Sequence, residues 1–554
     1  MEPQQNVPLQ GAAYPTKYRR NHPRSKNGCL TCRGKRKKCD ETKPNCNACV
    51  RSAQSCVWPP DSSQKQESQN GPAASSHAAS TAELRWQIEQ RAEKFGAGRE
   101  KTKSAVMEPG LAMFTPLNIQ IFKRFFFDWA TSADVTAGYT MSWFASLPQI
   151  YAKTTVDSVT HKSINALANA SYGQRFNSSQ ALRNATRWYG EAIHMLKDKM
   201  LCIVDSAQYC DVMDSIVLLG IYESLMDESI ALEGSWVSHT SGASILLSIR
   251  GQEKILKSAP EFQVSVISFL QMIYSGMLTG QAPPMSWESV HLLALPKVPH
   301  FYTHIELMYQ STCLCAEWRT ALLADEGDEN FERLAEIATR ALLLDKKLAE
   351  WTQSVPPSVR YTVESISIES QPGWSLPLLT GTWTPSNSHV YPSLMIKILW
   401  RFCWMIRVIL NQVLLFTHDI LEKRDATTNP LTSHKAEIET NISSNIDLIC
   451  ESCVSTFVNI GKKDPENSRA QDVPSLLGYL TLHVLPTMGL CLEQVKLRLS
   501  NCDLSGRRDW VARMRHFLRV NFGIAKGATA IPPSSIGKLP ILIWGLPQKL
   551  PSGK

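Results

Sequence analysis

Outside its first sixty residues the chain has no excess of positive charge. Of 58 Lys+Arg and 50 Asp+Glu in 554 residues, 12 basic and 3 acidic side chains fall within residues 1–60. That is a local charge of +9 within a total of +8, so the remaining 494 residues sum to −1. A uniformly basic, histone-like or coat-like polycation is excluded; a basic head on a near-neutral body is what one terminus meeting a polyanion looks like. Met1–Gln10 is polar and has no apolar segment of the kind that starts a secretory signal. The most apolar stretch, residues 390–416, is interrupted by Lys397, Arg401 and Arg407, and cations near the middle of a span are costly in lipid. It therefore reads as a buried helix of a soluble protein with no membrane partner. Without secretion, the 15 cysteines are expected to be reduced.

Enzyme signatures are missing as well. There is no G-x-S-x-G, no phosphate-binding G-x-x-x-x-G-K-[ST], no H-E-x-x-H and no dinucleotide glycine fingerprint. His194, His418 and His483 are scattered along helical stretches, where core or surface roles are the default. The chain is read as a non-enzyme. No fixed repeat period is present, and strand signals are few; the alternation from Arg360 to Ile368 is the best of them.

What is present is enough apolar material for a large core: 43% hydrophobic residues, 19% charged, and 15 Trp. Residues 1–28, with a basic patch at Lys17, Arg19, Arg20, Arg24 and Lys26, are expected to be a flexible basic arm. Residues 29–56 hold six cysteines. Residues 57–103 read as a linker, rich in Pro, Ser, Gln and Ala as far as about 82. It carries a short helix at 81–95, where Leu84, Ile88, Arg91 and Phe95 follow a 4-3-4 spacing too brief for a coiled coil. From 104 to 554 the pattern is repeatedly helical. Leu182, Ala185, Trp188, Ala192, Leu196 and Met200 recur at three- and four-residue steps behind the capping residues Ser178 and Ser179. Phe331 to Trp351 repeats the stripe, and similar patterns cover 117–131, 209–226, 261–279, 303–323, 391–421, 432–460 and 475–500. The body is expected to be one large all-α regulatory domain, or two packed subdomains with a break near 355–389.

Cys29, Cys32, Cys39, Cys46, Cys49 and Cys56 form C-x2-C-x6-C twice, joined by six residues. The duplication implies a pseudo-two-fold arrangement, and the two-residue spacing lets both thiolates of a pair converge on one tetrahedral ion. Two zinc ions have eight coordination positions between them, so two of six thiolates must bridge; symmetry favours one bridge per half. A segment this small has almost no apolar core, and metal binding supplies its folding free energy, on the order of 10 kcal/mol per structural site. Disulfides are the competing reading, disfavoured by the absence of a signal and by the flanking charge.

The halves differ in charge. Arg33, Lys35, Arg36, Lys37 and Lys38 crowd the segment between Cys32 and Cys39, whereas Arg51 alone is basic between Cys49 and Cys56. If each such segment begins as a short helix, the first presents cations densely enough for a DNA groove, neutralising phosphates and reaching guanine N7 and O6. The same run fits a nuclear localisation signal.

The stretch CLTCRGKRKKCDETKPNCNACVRSAQSC resembles the fungal binuclear zinc cluster DNA-binding domain of six-cysteine transcription factors, in cysteine order and spacing, in the basic run, and in the Lys-Pro pair before the fourth cysteine. The resemblance implies a two-helix fold around two Zn2+ ions. Cys29 and Cys46 would bridge, with Cys32 and Cys39 completing one site and Cys49 and Cys56 the other. It further implies that Lys35 and Arg36 contact bases, usually in CGG triplets, while Arg33, Lys37 and Lys38 hold phosphates. Arg36 stands where the family commonly has Lys, and Pro44 matches a loop proline that is often cis. The helical body resembles the family's middle homology region, though diffusely.

The residues thus describe a nuclear, zinc-dependent regulator of RNA polymerase II genes that binds double-stranded DNA. Its further partners would be coregulators or transcription machinery, a homodimer mate and a small-molecule effector. Two other readings are a zinc-stabilised interaction scaffold and a helical enzyme with an accessory DNA-binding head. Cys450 and Cys453, though spaced C-x2-C, stand alone in a predicted helix and read, like Cys313 and Cys315, as buried small hydrophobes. The acidic run Asp325, Glu326, Asp328, Glu329 and Glu332 reads as a solvated loop and helix start.

Overall fold

The computed structural model describes residues 29–35, 39–52, 55–58, 116–130, 142–200, 203, 205–226, 235–294, 299–324, 327–424, 429–458, 460, 468–495 and 504–524. They fall into two units, one within residues 1–74 and one within 75–554. The expected arm, most of the linker and the helix at 81–95 lie outside the described residues.

In the first unit, helix α1 (Leu30–Gly34) and helix α2 (Asn47–Arg51) begin one residue after Cys29 and Cys46 respectively. The helices therefore start inside each C-x2-C pair and run into the first residues of the segment that follows it. α2 is capped by Cys46 itself, whose Sγ accepts the Cys49 N–H at 3.4 Å.

The second unit is built from helices. Helix α3 (Pro116–Trp129) precedes α4 (Val159–Phe176), α5 (Ser179–Lys199), α6 (Ser206–Met226), α7 (Ser235–Arg250), α8 (Ala259–Thr279), α9 (Pro299–Leu323) and α10 (Asp328–Ser354). Then come α11 (Leu394–Arg424), α12 (Lys435–Val458), α13 (Ser475–Leu482), α14 (Leu485–Val495) and α15 (Ser505–Phe522). α5 shows the expected logic. Ser178 Oγ accepts the Ala181 N–H at 3.3 Å at its start, and Ala185, Tyr189, Ala192 and Leu196 form its buried stripe. The single helix expected over 475–500 is two, α13 and α14.

α4 had no periodic stripe to find, because it is buried on nearly every side. Small residues let α5 and α6 close on it: a Cβ on Gly173 would meet Leu182 Cδ2 at 2.7 Å. Its buried Asn165 and Asn169 donate through Nδ2 to the carbonyls of His161 and Asn165, one turn back. α11, 31 residues long, packs against α10 and α12. It and the segment Ser475–Glu493 are apolar and long enough to cross a membrane; 94% of the most apolar window of α11 is buried inside the fold.

Strand β1 (Thr362–Ser365) pairs antiparallel with β2 (Asn387–Val390), Thr362 opposite Val390. The Pro/Ser/Gly-rich stretch near 355–389 does not divide the body; residues 75–554 are one unit. Indole and guanidinium groups hold that stretch down: Trp400 Nε1 donates to Val359 O at 2.9 Å, Trp510 Nε1 to Leu378 O at 2.9 Å and Arg513 Nη2 to Trp383 O at 2.7 Å. Asp128 of α3 pairs with Arg175 of α4 at 2.8 Å, and its Oδ1 accepts the Ser475 N–H at 3.0 Å. Arg175 also donates to Ser475 Oγ and to the carbonyls of Ala470 and Val473. One buried pair thus joins α3, the first described helix of the unit, to α13.

Candidate metal centre

Cys29, Cys32, Cys39, Cys46 and Cys49 are buried and Cys56 nearly so, in a unit whose core consists of little else. The Sγ atoms of Cys29, Cys32, Cys39 and Cys46 all lie within 4.8 Å of one another, and so do those of Cys29, Cys46, Cys49 and Cys56. The two quartets share Cys29 and Cys46. Cys29 Sγ stands 3.6 Å from Cys46 Sγ and 3.7 Å from Cys49 Sγ, and Cys32 Sγ stands 3.5 Å from Cys46 Sγ. A disulfide is about 2.05 Å long, so these are separate thiols. With zinc–sulfur bonds of about 2.3 Å, the edge of a tetrahedral thiolate site is about 3.8 Å. The spacing and the all-sulfur donor set fit two zinc ions.

The duplication in sequence is a duplication in hydrogen bonding. The Cys29 N–H donates to Cys39 Sγ at 3.4 Å, as the Cys46 N–H does to Cys56 Sγ at 3.3 Å. The Cys32 N–H donates to Cys29 Sγ at 3.3 Å, as the Cys49 N–H does to Cys46 Sγ at 3.4 Å. Burial alone would raise the thiol pKa values of Cys29 and Cys46, but these N–H donors hold both below the usual thiol range. Cys32 and Cys49 are pushed up by burial and neighbouring thiols, Cys49 to about 12.

Of the basic run, Arg33 lies in α1 and Lys35 is exposed in the turn after it, its N–H donating to Thr31 O at 3.2 Å. Arg36, Lys37 and Lys38 lie outside the described residues. The Lys43–Pro44 peptide is cis.

Some supporting residues carried no cysteine-like signal. Both Asp40 carboxylate oxygens accept the Asn47 N–H, at 3.1 and 3.0 Å, at the start of α2. Desolvation opposes its ionisation, but this bond and neighbouring donors hold the carboxyl below its usual range. Residues on either side of Cys56 close the unit. Leu30 N–H donates to Val57 O at 2.7 Å, Thr31 Oγ1 to Ser55 O at 2.8 Å, and Trp58 Nε1 to Pro44 O at 2.7 Å, with Lys43 Nζ 5.6 Å from the indole. An aromatic two residues after the last cysteine, before a polar linker, was the available hint.

In the body, Cys450 and Cys453 are fully buried on α12, where burial raises both thiol pKa values; this is the behaviour of small hydrophobes. Asp328 and Glu329 occupy the first turn of α10, and Arg424 pairs with Asp328. Asp325 and Glu326 lie outside the described residues. His418 is buried with Nδ1 3.2 Å from Glu422 Oε2, and His483 lines a cavity described below.

Residues 27–66 match the family model described as the fungal Zn(2)-Cys(6) binuclear cluster domain. Over 48 residues the chain is 52% identical to transcription factor lfc1 of Flammulina velutipes, covering 9% of this chain and 17% of that protein. Over 36 residues it is 53% identical to zinc cluster transcription factor CZF1 of Candida albicans, 6% of this chain and 9% of that one. Over 44 residues it is 48% identical to transcriptional regulatory protein moc3 of Schizosaccharomyces pombe, 8% and 9% respectively. The match thus spans less than a fifth of each of these relatives. No solved structure matches the chain. With two thiol quartets sharing Cys29 and Cys46 inside the matched segment, residues 27–66 are a fungal-type Zn(2)-Cys(6) binuclear cluster domain that binds two zinc ions.

Proposed function

We propose that the chain is a zinc-dependent, sequence-specific DNA-binding regulator of RNA polymerase II transcription that works in the nucleus. Cys29 and Cys46 bridge the two ions; Cys32 and Cys39 complete one site, Cys49 and Cys56 the other. The metals fix α1, and α1 fixes the direction in which the basic run leaves the cluster. Lys35 and Arg36 read base edges in CGG-type half-sites, where Arg36 donates in a planar fork to guanine O6 and N7. Arg33, Lys37 and Lys38 hold phosphates, which sets register and supplies most of the salt-dependent affinity. The helical body of residues 104–554 carries the regulatory contacts: coregulators, a second copy of the chain, or an effector.

The observation that carries this reading is the asymmetry of a symmetric cluster. The two halves match bond for bond around the sulfurs, yet five cations follow Cys32 and one follows Cys49. A cluster serving only to staple a scaffold has no use for that difference. The test is a Lys35→Ala/Arg36→Ala chain measured on CGG-containing and scrambled duplexes. Zinc content should stay at two ions per chain while the preference for CGG disappears. Unchanged discrimination in the double variant would remove these two residues from base reading.

A further inference from the structure

The body holds a cavity of about 150 Å³, partly open to solvent, between α8, α11 and α13, a volume that in other proteins admits a benzene ring. Its walls are mostly apolar, among them Phe144, Ile267, Leu270, Ile398 and Phe402. One cation stands in this wall: Arg401, from the middle of α11 and 2% exposed.

Buried guanidinium groups normally face a carboxylate, because an unpaired charge in a dry interior is costly. Among the described residues the other buried arginine follows that rule, Arg175 facing Asp128 at 2.8 Å, and the half-buried Arg407 likewise faces Asp345 at 2.8 Å. Arg401 forms no ion pair among the described residues. Its five N–H groups meet only neutral oxygens: Ser452 Oγ and O at 2.9 and 2.6 Å, Thr456 Oγ1 at 2.7 Å, Thr481 Oγ1 at 3.3 Å and Leu480 O at 3.5 Å. The two longest bonds are both made by Nη1, which leaves that donor the least well satisfied. One turn earlier Lys397 is also buried and also lacks a carboxylate partner among the described residues, its ammonium lying 5.6 Å from the Tyr391 ring. Burial and the nearby Arg401 push its pKa well down. Arg401 thus presents a positive charge that no carboxylate pairs with among the described residues, next to an apolar space with room for a small ring.

We propose that the cavity binds a compact hydrophobic monocarboxylate, its carboxylate accepting from Arg401 Nη1 and its apolar portion held between α8, α11 and α13. Binding is to the body alone and does not depend on the DNA-binding reading of the zinc cluster.

The test is calorimetric titration of the zinc-loaded full chain with phenylacetate and with its neutral isostere phenylacetamide. Phenylacetate should bind at one per chain and the amide at least about tenfold more weakly, because charge-assisted hydrogen bonds are the stronger kind. Since removing Arg401 risks the fold, the cavity is filled instead, by Leu270→Trp and separately by Ile267→Phe. Either variant should lose phenylacetate binding while its thermal unfolding stays cooperative. The Lys35→Ala/Arg36→Ala chain should bind phenylacetate as the parent does, which separates this site from DNA binding. Equal affinity for acid and amide, binding of neither, or binding that survives both filled cavities overturns the proposal.

Discussion

Cys29 Sγ and Cys46 Sγ lie 3.6 Å apart across a sequence separation of 17 residues, and both belong to each of the two thiol quartets. That shared position makes the six cysteines unequal. Cys46→Ser removes a ligand from both sites, so zinc should fall from two ions per chain towards none. Cys56→Ser damages one quartet and leaves Cys29, Cys32, Cys39 and Cys46 complete, so about one ion should remain. Metal analysis of the purified chains checks this. Since each structural zinc supplies roughly 10 kcal/mol or more of apparent binding free energy, the Cys46 variant should also lose DNA binding entirely.

Phosphate contacts leave a different signature from base contacts. Lys37→Ala and Lys38→Ala should weaken binding to CGG-containing and scrambled duplexes alike. Each should reduce the slope of log K against log salt by about 1. Fluorescence anisotropy across a salt series measures both effects. A loss confined to CGG duplexes would move that residue to base reading.

In the body, Asp128→Asn leaves Arg175 buried without its charge partner while Ser475 and two carbonyls still hold it. Breaking a buried pair from one side costs roughly 3–5 kcal/mol. Urea denaturation followed by near-ultraviolet circular dichroism should show a loss of that order.

Asp214 of α6 gives the body a pH dependence of unusual sign. Burial and the neighbouring Asp211 raise its carboxyl to about 7, against the lowering effect of the Trp143 Nε1 bond at 2.7 Å. In the unfolded chain an aspartate titrates near about 3.9. Between those values the folded state keeps a proton that the unfolded state has released. The stability this contributes is complete below pH 4 and is lost as pH rises through 7, with an upper bound of ~4 kcal/mol. Asp214→Asn, which can still accept from Trp143, should therefore match the parent near pH 4.5 and exceed it at pH 8 by about 2–4 kcal/mol. Comparing the two chains at each pH cancels the contribution of zinc. A constant difference across that range would contradict the assignment.

The cluster was legible in sequence because thiolate coordination leaves its mark in residue spacing, and spacing is what a sequence records without error. Helices with a single buried stripe, such as α5, were legible for a similar reason: Ala185, Ala192 and Leu196 recur at the helical period. α4 was not, since Ser163, Asn165 and Asn169 are buried beside its alanines and no polar face exists to set the period. α15 was missed from the opposite side, with Arg507, Arg508, Arg513, Arg515 and Arg519 masking the stripe of Trp510, Met514 and Phe517. The cavity was beyond reach altogether. Ile267, Arg401 and Leu480 stand more than 70 residues from one another, and only the fold brings them to one wall.

Random-oligonucleotide binding selection with the zinc-loaded full chain tests the central claim most directly. The account predicts enriched duplexes built on CGG triplets, and loss of that enrichment when a chelator removes the metal. Enrichment of no common sequence, or a preferred sequence that persists after the zinc is gone, would contradict it.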